Sequence, residues 1–180
     1  MIAQGANDLS MVHPLLIAAA TLAAATAPIH LNSADLAAGR AVPKTFMARD
    51  CGGTNTSPSL SWSGVPQGTK SFALILHDAD APISGGFYHW VVYNLPAQTR
   101  RLERNVTLAP DELGESSTGR AQYYGPCPPP GPAHHYTITL YALDVSHFAA
   151  VAPLTGAALE RQMEGHVIAR GILQNTASTP

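Results

Sequence analysis

Residues 78–90 read Asp-Ala-Asp-Ala-Pro-Ile-Ser-Gly-Gly-Phe-Tyr-His-Trp, and they join two segments that have the composition of β-strands. Those segments are residues 71–76 (SFALIL) and 90–95 (WVVYNL), which are rich in β-branched and aromatic residues. The proline and the glycines between them indicate a turn. Two carboxylates therefore follow one predicted core strand, and an imidazole lies where the next one begins.

A second stretch, residues 123–136 (YYGPCPPPGPAHHY), has the same construction. It consists of a stiff loop of proline and glycine, then two histidines, then the alternating strand pattern of residues 137–143 (TITLYAL). We expect these two loops to form the two walls of one small polar pocket.

Composition favours one domain with many short strands. The chain has 180 residues with 15 Gly and 15 Pro spread along it, and one helix is predicted over residues 154–163 with Thr155 as its cap. A last strand is predicted over residues 166–173, with residues 175–180 as a frayed tail. The sequence therefore predicts an all-β fold, an antiparallel Greek-key β-sandwich with one or two short peripheral helices.

The N-terminal residues have a different character. Residues 15–27 (LLIAAATLAAATA) form an apolar run that is too short to span a bilayer and has the length of a signal-peptide core. We expect residues 1–27 to be a signal peptide, residues 28–180 to form a single domain, and the protein to be exported to the periplasm or secreted. An alanine-rich helix that stays attached is the alternative.

The two cysteines fit export. If Cys51 and Cys127 are paired, the disulfide closes a loop of about 75 residues and stabilises the fold by roughly 4 kcal/mol in the chain-entropy model. Two free thiols in a cytosolic protein are the alternative.

The two aspartates after the first strand could bind a ligand together. If the strand continued, Asp78 and Asp80 would point to the same face, where two carboxylates repel each other. Such a pair can bind a metal ion, share a proton, or present a protonated acid to an anionic ligand. Alternatively, Asp80 caps the turn that follows.

Alternation along the second strand selects one of its two histidines. His134 and Tyr136 are expected to share the pocket face, with His135 pointing outward, and His89 faces them from the other loop. The loop between offers the backbone amides of Gly125 and Cys127, and fixed N–H groups beside imidazoles suit a phosphate or a carboxylate.

Three motifs in this order resemble the phosphatidylethanolamine-binding protein (PEBP) family, and most closely its bacterial Raf-kinase-inhibitor-like branch. They are DADAP, the FYHWVVYNLP run, and YGPCPP followed by His-x-Tyr, within a resemblance that covers residues 46–173. It implies a two-sheet β fold with an anion pocket. The ligand-binding residues that it implies are Asp78, Asp80, Pro82, His89, Gly125, Pro126, Cys127, His134 and Tyr136.

This chain departs from the family pattern at two of the pocket positions. Ala79 stands where the family has a proline between the acids, and His135 stands where it has an arginine. The first change loosens the turn, and the second removes a permanent charge near the rim.

The leading hypothesis is a non-catalytic protein that binds an anionic or phosphorylated small molecule or a lipid head group, without a cofactor. Scattered basic residues and a net charge of −2 exclude a nucleic-acid partner. A protein–protein regulator, such as a protease or kinase inhibitor, is the first alternative, and a homodimer stays open. A metal-dependent hydrolase that uses the Asp and His cluster is the second.

Overall fold

The computed structural model describes residues 28–179, and two antiparallel β-sheets make up most of it. The predicted signal peptide, residues 1–27, lies outside the described residues. The strands are β1 (His30–Asn32), β2 (Leu60–Ser63), β3 (Ser71–Asp78), β4 (Phe87–Pro96), β5 (Arg101–Leu102), β6 (His134–Leu143) and β7 (Val167–Ala177). Short 3₁₀ turns lie at Lys44–Phe46, Arg49–Cys51 and Pro110–Glu112, and the α-helix α1 spans Gly156–Met163.

The hydrophobic core lies between the two sheets. The larger sheet has the strand order β4-β3-β6-β7, and the smaller one has the order β1-β2-β5. Trp62 from the small sheet meets Phe72 from the large sheet edge-to-face, and both side chains are buried. The predicted β-sandwich is therefore confirmed.

The other face of the large sheet is covered by α1. Thr155 caps this helix, as predicted, because its hydroxyl accepts a hydrogen bond from the Ala158 amide. Leu159 and Met163 are buried in a second apolar cluster with Val91 of β4. Within residues 28–179, no helix combines the length and the hydropathy that crossing a membrane requires.

The last strand is longer than the sequence predicts, so the prediction of a frayed tail from residue 175 was wrong. β7 pairs with β6 as far as the register His134↔Ala177. Asn175 is buried, and its side-chain amide donates to the carbonyl oxygens of Ala37 and Arg40 at 2.7 and 3.0 Å. These contacts come from distant parts of the chain, which a local pattern does not reveal.

The loop before β6 is attached to an N-terminal segment at several points. A disulfide joins Cys51 to Cys127, as predicted. Beside it, the Ala48 amide donates to the Pro126 carbonyl oxygen at 3.1 Å. Gly125 packs so closely on the Phe46 backbone that a Cβ atom there would clash. This loop is therefore a fixed wall.

Candidate functional site

Strand pairing brings the two predicted loops together. Asp78, the last residue of β3, pairs with Phe87 of β4 on one side and with Tyr136 of β6 on the other. His89 lies two residues after Phe87, and His134 lies two residues before Tyr136, so both histidines lie on the strands next to Asp78. The central position of β3 therefore places the carboxylate between the two imidazoles.

Asp78 and His134 form a largely buried pair. The Nδ1–H of His134 donates to Asp78 Oδ2 at 2.8 Å, and the side chains are 12% and 3% exposed. Asp78 Oδ1 accepts a hydrogen bond from the Asp80 amide at 3.0 Å. Because a carboxylate only accepts, Nδ1 of His134 carries the hydrogen and Nε2 is the nitrogen left for a ligand.

His89 is hydrogen-bonded to the loop before β6, which forms the other wall of the cavity, and its ring is neutral at pH 7. Its Nδ1–H donates to the Tyr124 carbonyl oxygen at 2.9 Å, and its ring packs 4.5 Å from the Phe87 ring. Burial lowers the pKa of His89 to about 4, although the Tyr124 carbonyl and the charge of Asp78 oppose this. Since a carbonyl oxygen cannot donate, Nε2 of the neutral ring is a hydrogen-bond acceptor.

Tyr136 lies behind the histidines. Its ring meets the His89 ring edge-to-face at 5.2 Å, and the residue is 1% exposed. Burial and the charge of Asp78 raise the pKa of its hydroxyl. This hydroxyl is buried without a hydrogen-bond partner among the described residues. Tyr136 therefore supports His89 by packing.

Asp80 and His135 form a second pair outside this group. Asp80 Oδ2 accepts from both the backbone amide and Nδ1 of His135, each at 2.8 Å, and these hydrogen bonds lower the pKa of Asp80. Both side chains are about half exposed. Asp78 and Asp80 do not share a face because β3 ends at Asp78, and it is Asp78 that accepts from the turn amide.

Asp78 and the two histidines border a cavity of about 250 Å³. The predicted site residues that line it are Asp78, Pro82, His89, Cys127 and His134. Four others lie outside the lining, and they are Asp80, Gly125, Pro126 and Tyr136. The Gly125 amide donates to Asn55 Oδ1 at 2.8 Å, so it is not free to bind an anion.

Several lining residues were not predicted. Phe87 could have been found, because it lies two residues from His89 on the same face of β4. Tyr124 adjoins the predicted loop, whereas Thr118 comes from the GESSTG loop and has no local signal. The remaining lining residues are Ala81, Ile83, Pro128 and Pro129.

Charge in the lining is sparse. Among the described residues that line the cavity, none is a lysine or an arginine, and Asp78 supplies a carboxylate. Across residues 28–179, no three His, Cys, Asp or Glu side chains are grouped closely enough to hold a metal ion. What the described lining offers a ligand is hydrogen bonding through two imidazoles and a carboxylate.

A family model described as phosphatidylethanolamine-binding protein matches residues 32–178. The chain belongs to the phosphatidylethanolamine-binding protein (PEBP) family. YbcL of Escherichia coli K12 is 34% identical over 170 residues, which cover 89% of this chain and 93% of YbcL. A UPF0098 protein of Aquifex aeolicus is 39% identical over 137 residues, 73% of this chain and 78% of the relative.

Two further comparisons extend this PEBP assignment. The crystal structure of E. coli YbcL, described as a new member of the mammalian PEBP family, superimposes with a TM-score of 0.80 at 32% identity. The match covers 86% of this chain and all of YbcL. LppC of Mycobacterium tuberculosis, which bears a lipoprotein's name, is 37% identical over 129 residues, 71% of this chain and 62% of LppC.

Proposed function

We propose that this PEBP-family protein is a non-catalytic binding protein whose cavity takes the phosphoryl or other anionic end of a small molecule or lipid head group. The observation that carries the proposal is the arrangement of His89 and His134. Each ring uses Nδ1 within the protein, which leaves Nε2 for the cavity beside Asp78. Two imidazole nitrogens in a cavity of about 250 Å³ suit a group the size of phosphate.

His134 supplies the positive charge in this proposal. Its Nδ1–H already donates to Asp78, so a proton on Nε2 makes the ring an imidazolium beside the carboxylate. That Nε2–H then donates to an anionic oxygen of the ligand. His89 is neutral and contributes an acceptor, and the Cys127 wall limits the size of the bound group.

There is room for the rest of the ligand beside the cavity. A more open groove of about 690 Å³ shares Pro82, Cys127, Pro128 and Pro129 with it. The groove is largely apolar, and Asp50 is one of its lining residues. A ligand whose phosphoryl group occupies the cavity can therefore extend along this proline-lined surface.

Binding of inorganic phosphate, measured by isothermal titration calorimetry, tests the proposal. We expect His134→Ala to weaken binding at least tenfold, because it removes the imidazole that donates to the anion in this proposal, and no lysine or arginine among the described lining residues can replace it. His135→Ala is the matched control, since this neighbouring histidine is 58% exposed and pairs with Asp80 outside the cavity. Phosphate binding that is equal in the wild type and His134→Ala would contradict the proposal.

We also propose that the protein is exported. The disulfide between Cys51 and Cys127 supports this, because such bonds persist in oxidising compartments. The likeness to LppC, with its lipoprotein name, supports it too. Fractionation of cells that express the full chain tests this, and finding the protein only in the cytosol would contradict it.

A further inference from the structure

Both imidazoles that line the cavity have a ring N–H that points away from it. His89 and His134 each direct a ring N–H away from the cavity, to the Tyr124 carbonyl oxygen and to the Asp78 carboxylate. Their Nε2 atoms are therefore acceptors whenever the rings are neutral. A ligand without an O–H or N–H group therefore leaves at least one of these nitrogen lone pairs without a hydrogen bond from the ligand.

His89 cannot readily become a donor by taking up a second proton. The titratable groups around it are Asp78 and His77 on β3, His134 and Tyr136 on β6, and Tyr124 in the loop. The carbonyl oxygens of Tyr124 and Gly125 favour a charge on the His89 ring, and so does the Asp78 carboxylate, which is already hydrogen-bonded to His134. Since the ring is 3% exposed, burial dominates and Nε2 stays an acceptor.

The hydroxyl of Thr118 does not donate a hydrogen bond to His89 Nε2. Its hydroxyl lies 2.8 Å from the Ser116 hydroxyl, which is itself close to the Arg120 carbonyl oxygen. The Tyr124 hydroxyl donates to Asp50 outside the cavity. The Tyr136 hydroxyl has no hydrogen-bond partner among the described residues, so it does not donate to His89 either. A hydrogen carried by the ligand can therefore take this position.

We propose that the cavity selects phosphate monoesters that retain an acidic hydrogen and discriminates against phosphodiesters. This rests on the proposed function of the same cavity. The P–OH group of a monoester monoanion donates to His89 Nε2, and its anionic oxygens accept from the imidazolium of His134. A diester also carries one negative charge but has no P–OH, so it offers no hydrogen to His89 Nε2.

Two isomeric probes test whether the hydrogen of the P–OH group determines the affinity. Ethyl phosphate and dimethyl phosphate contain the same atoms, and near pH 5 both are chiefly monoanions, because the second pKa of a phosphate monoester is about 6. They differ in that one has a P–OH where the other has a second P–O–CH₃. We expect ethyl phosphate to bind the wild-type protein at least tenfold more tightly in calorimetric titrations near pH 5.

The outcomes separate this inference from the proposed function. Equal binding of the two probes, or tighter binding of dimethyl phosphate, would overturn the monoester selectivity and leave the anion site standing. If neither probe nor inorganic phosphate binds, the proposed function itself is contradicted and the selectivity falls with it. Tenfold preference for ethyl phosphate supports both.

A substitution at His89 tests which residue imposes the selectivity. His89→Gln places an amide that can donate as well as accept, so we expect the preference for ethyl phosphate to fall to less than threefold. His135→Gln is the matched control and should keep the wild-type preference. An unchanged preference in a folded His89→Gln protein would overturn the role of His89, and the wild-type comparison stands even if that variant does not fold.

Discussion

Two Asp–His pairs, formed from neighbouring residues, have the same geometry and very different surroundings. Asp78–His134 and Asp80–His135 both have an Nδ1 to Oδ2 distance of 2.8 Å. The first pair is largely buried, whereas the side chains of the second are 46% and 58% exposed. The pairs therefore differ in burial and not in distance, and burial decides how much each pair affects the stability of the fold.

The cause of the difference is where β3 ends. Asp78 is its last residue and stays in register with β4 and β6, so its side chain points into the molecule. The chain then turns, and Asp80 meets His135 on the outside of β6. Because β3 ends and a turn follows, one of two chemically identical pairs is buried and the other is exposed.

The largest expected difference between the pairs is in stability. Asp78→Ala leaves the His134 Nδ1–H and the Asp80 amide without their partner in a buried site, so we expect a loss of about 3 kcal/mol in the free energy of unfolding. Asp80→Ala breaks only exposed contacts and should leave it unchanged within error. Urea unfolding followed by tryptophan fluorescence measures both. Equal losses would show that burial does not distinguish the pairs.

The second expected effect is a contribution of the buried His89 to the pH dependence of stability. Its pKa is about 4 in the folded protein, against about 6.5 for an unperturbed histidine, so the unfolded chain binds more protons between these values. The stabilisation is therefore present above pH 6.5 and is lost as the pH falls to 4, by about 3 kcal/mol.

The measurement is the free energy of unfolding of the wild type and His89→Gln at several pH values across this range. Acidification should destabilise the wild type more than the variant, because carboxylates titrate in both proteins and only the wild type has His89. Parallel curves for the two proteins would mean that His89 titrates normally when the protein is folded.

The smallest expected effect belongs to the exposed pair. Two hydrogen bonds from His135 hold the pKa of Asp80 below its ordinary value. His135→Ala removes the side-chain hydrogen bond and keeps the one from the backbone, so the pKa of Asp80 should rise partway. A carboxyl NMR titration measures it. An unmoved midpoint would assign the shift to the backbone hydrogen bond alone.

Much of the fold could be predicted from local pattern. The alternation of residues 134–136 correctly places His134 and Tyr136 inward and His135 outward, because period 2 holds at the start of β6. Thr155 gives the start of α1 for a similarly local reason, a side-chain oxygen that accepts from the helix amides.

The wrong predictions concern residues whose surroundings are set by contacts with distant parts of the chain. Asn175 lies in a strand because its side chain bonds to the carbonyl oxygens of residues 37 and 40, which no window around it contains. The amide of Gly125 is engaged by Asn55, so the anion cradle predicted for that loop has fewer donors than its sequence suggests. Thr118 enters the lining for the same non-local reason.

A structure of the wild-type protein with ethyl phosphate bound, determined by crystallography near pH 5, tests the central claim most directly. We expect the phosphoryl group in the cavity, with one oxygen within hydrogen-bond distance of His134 Nε2 and another equally close to His89 Nε2. Ethyl phosphate bound elsewhere, with only water between the two imidazoles, would contradict it.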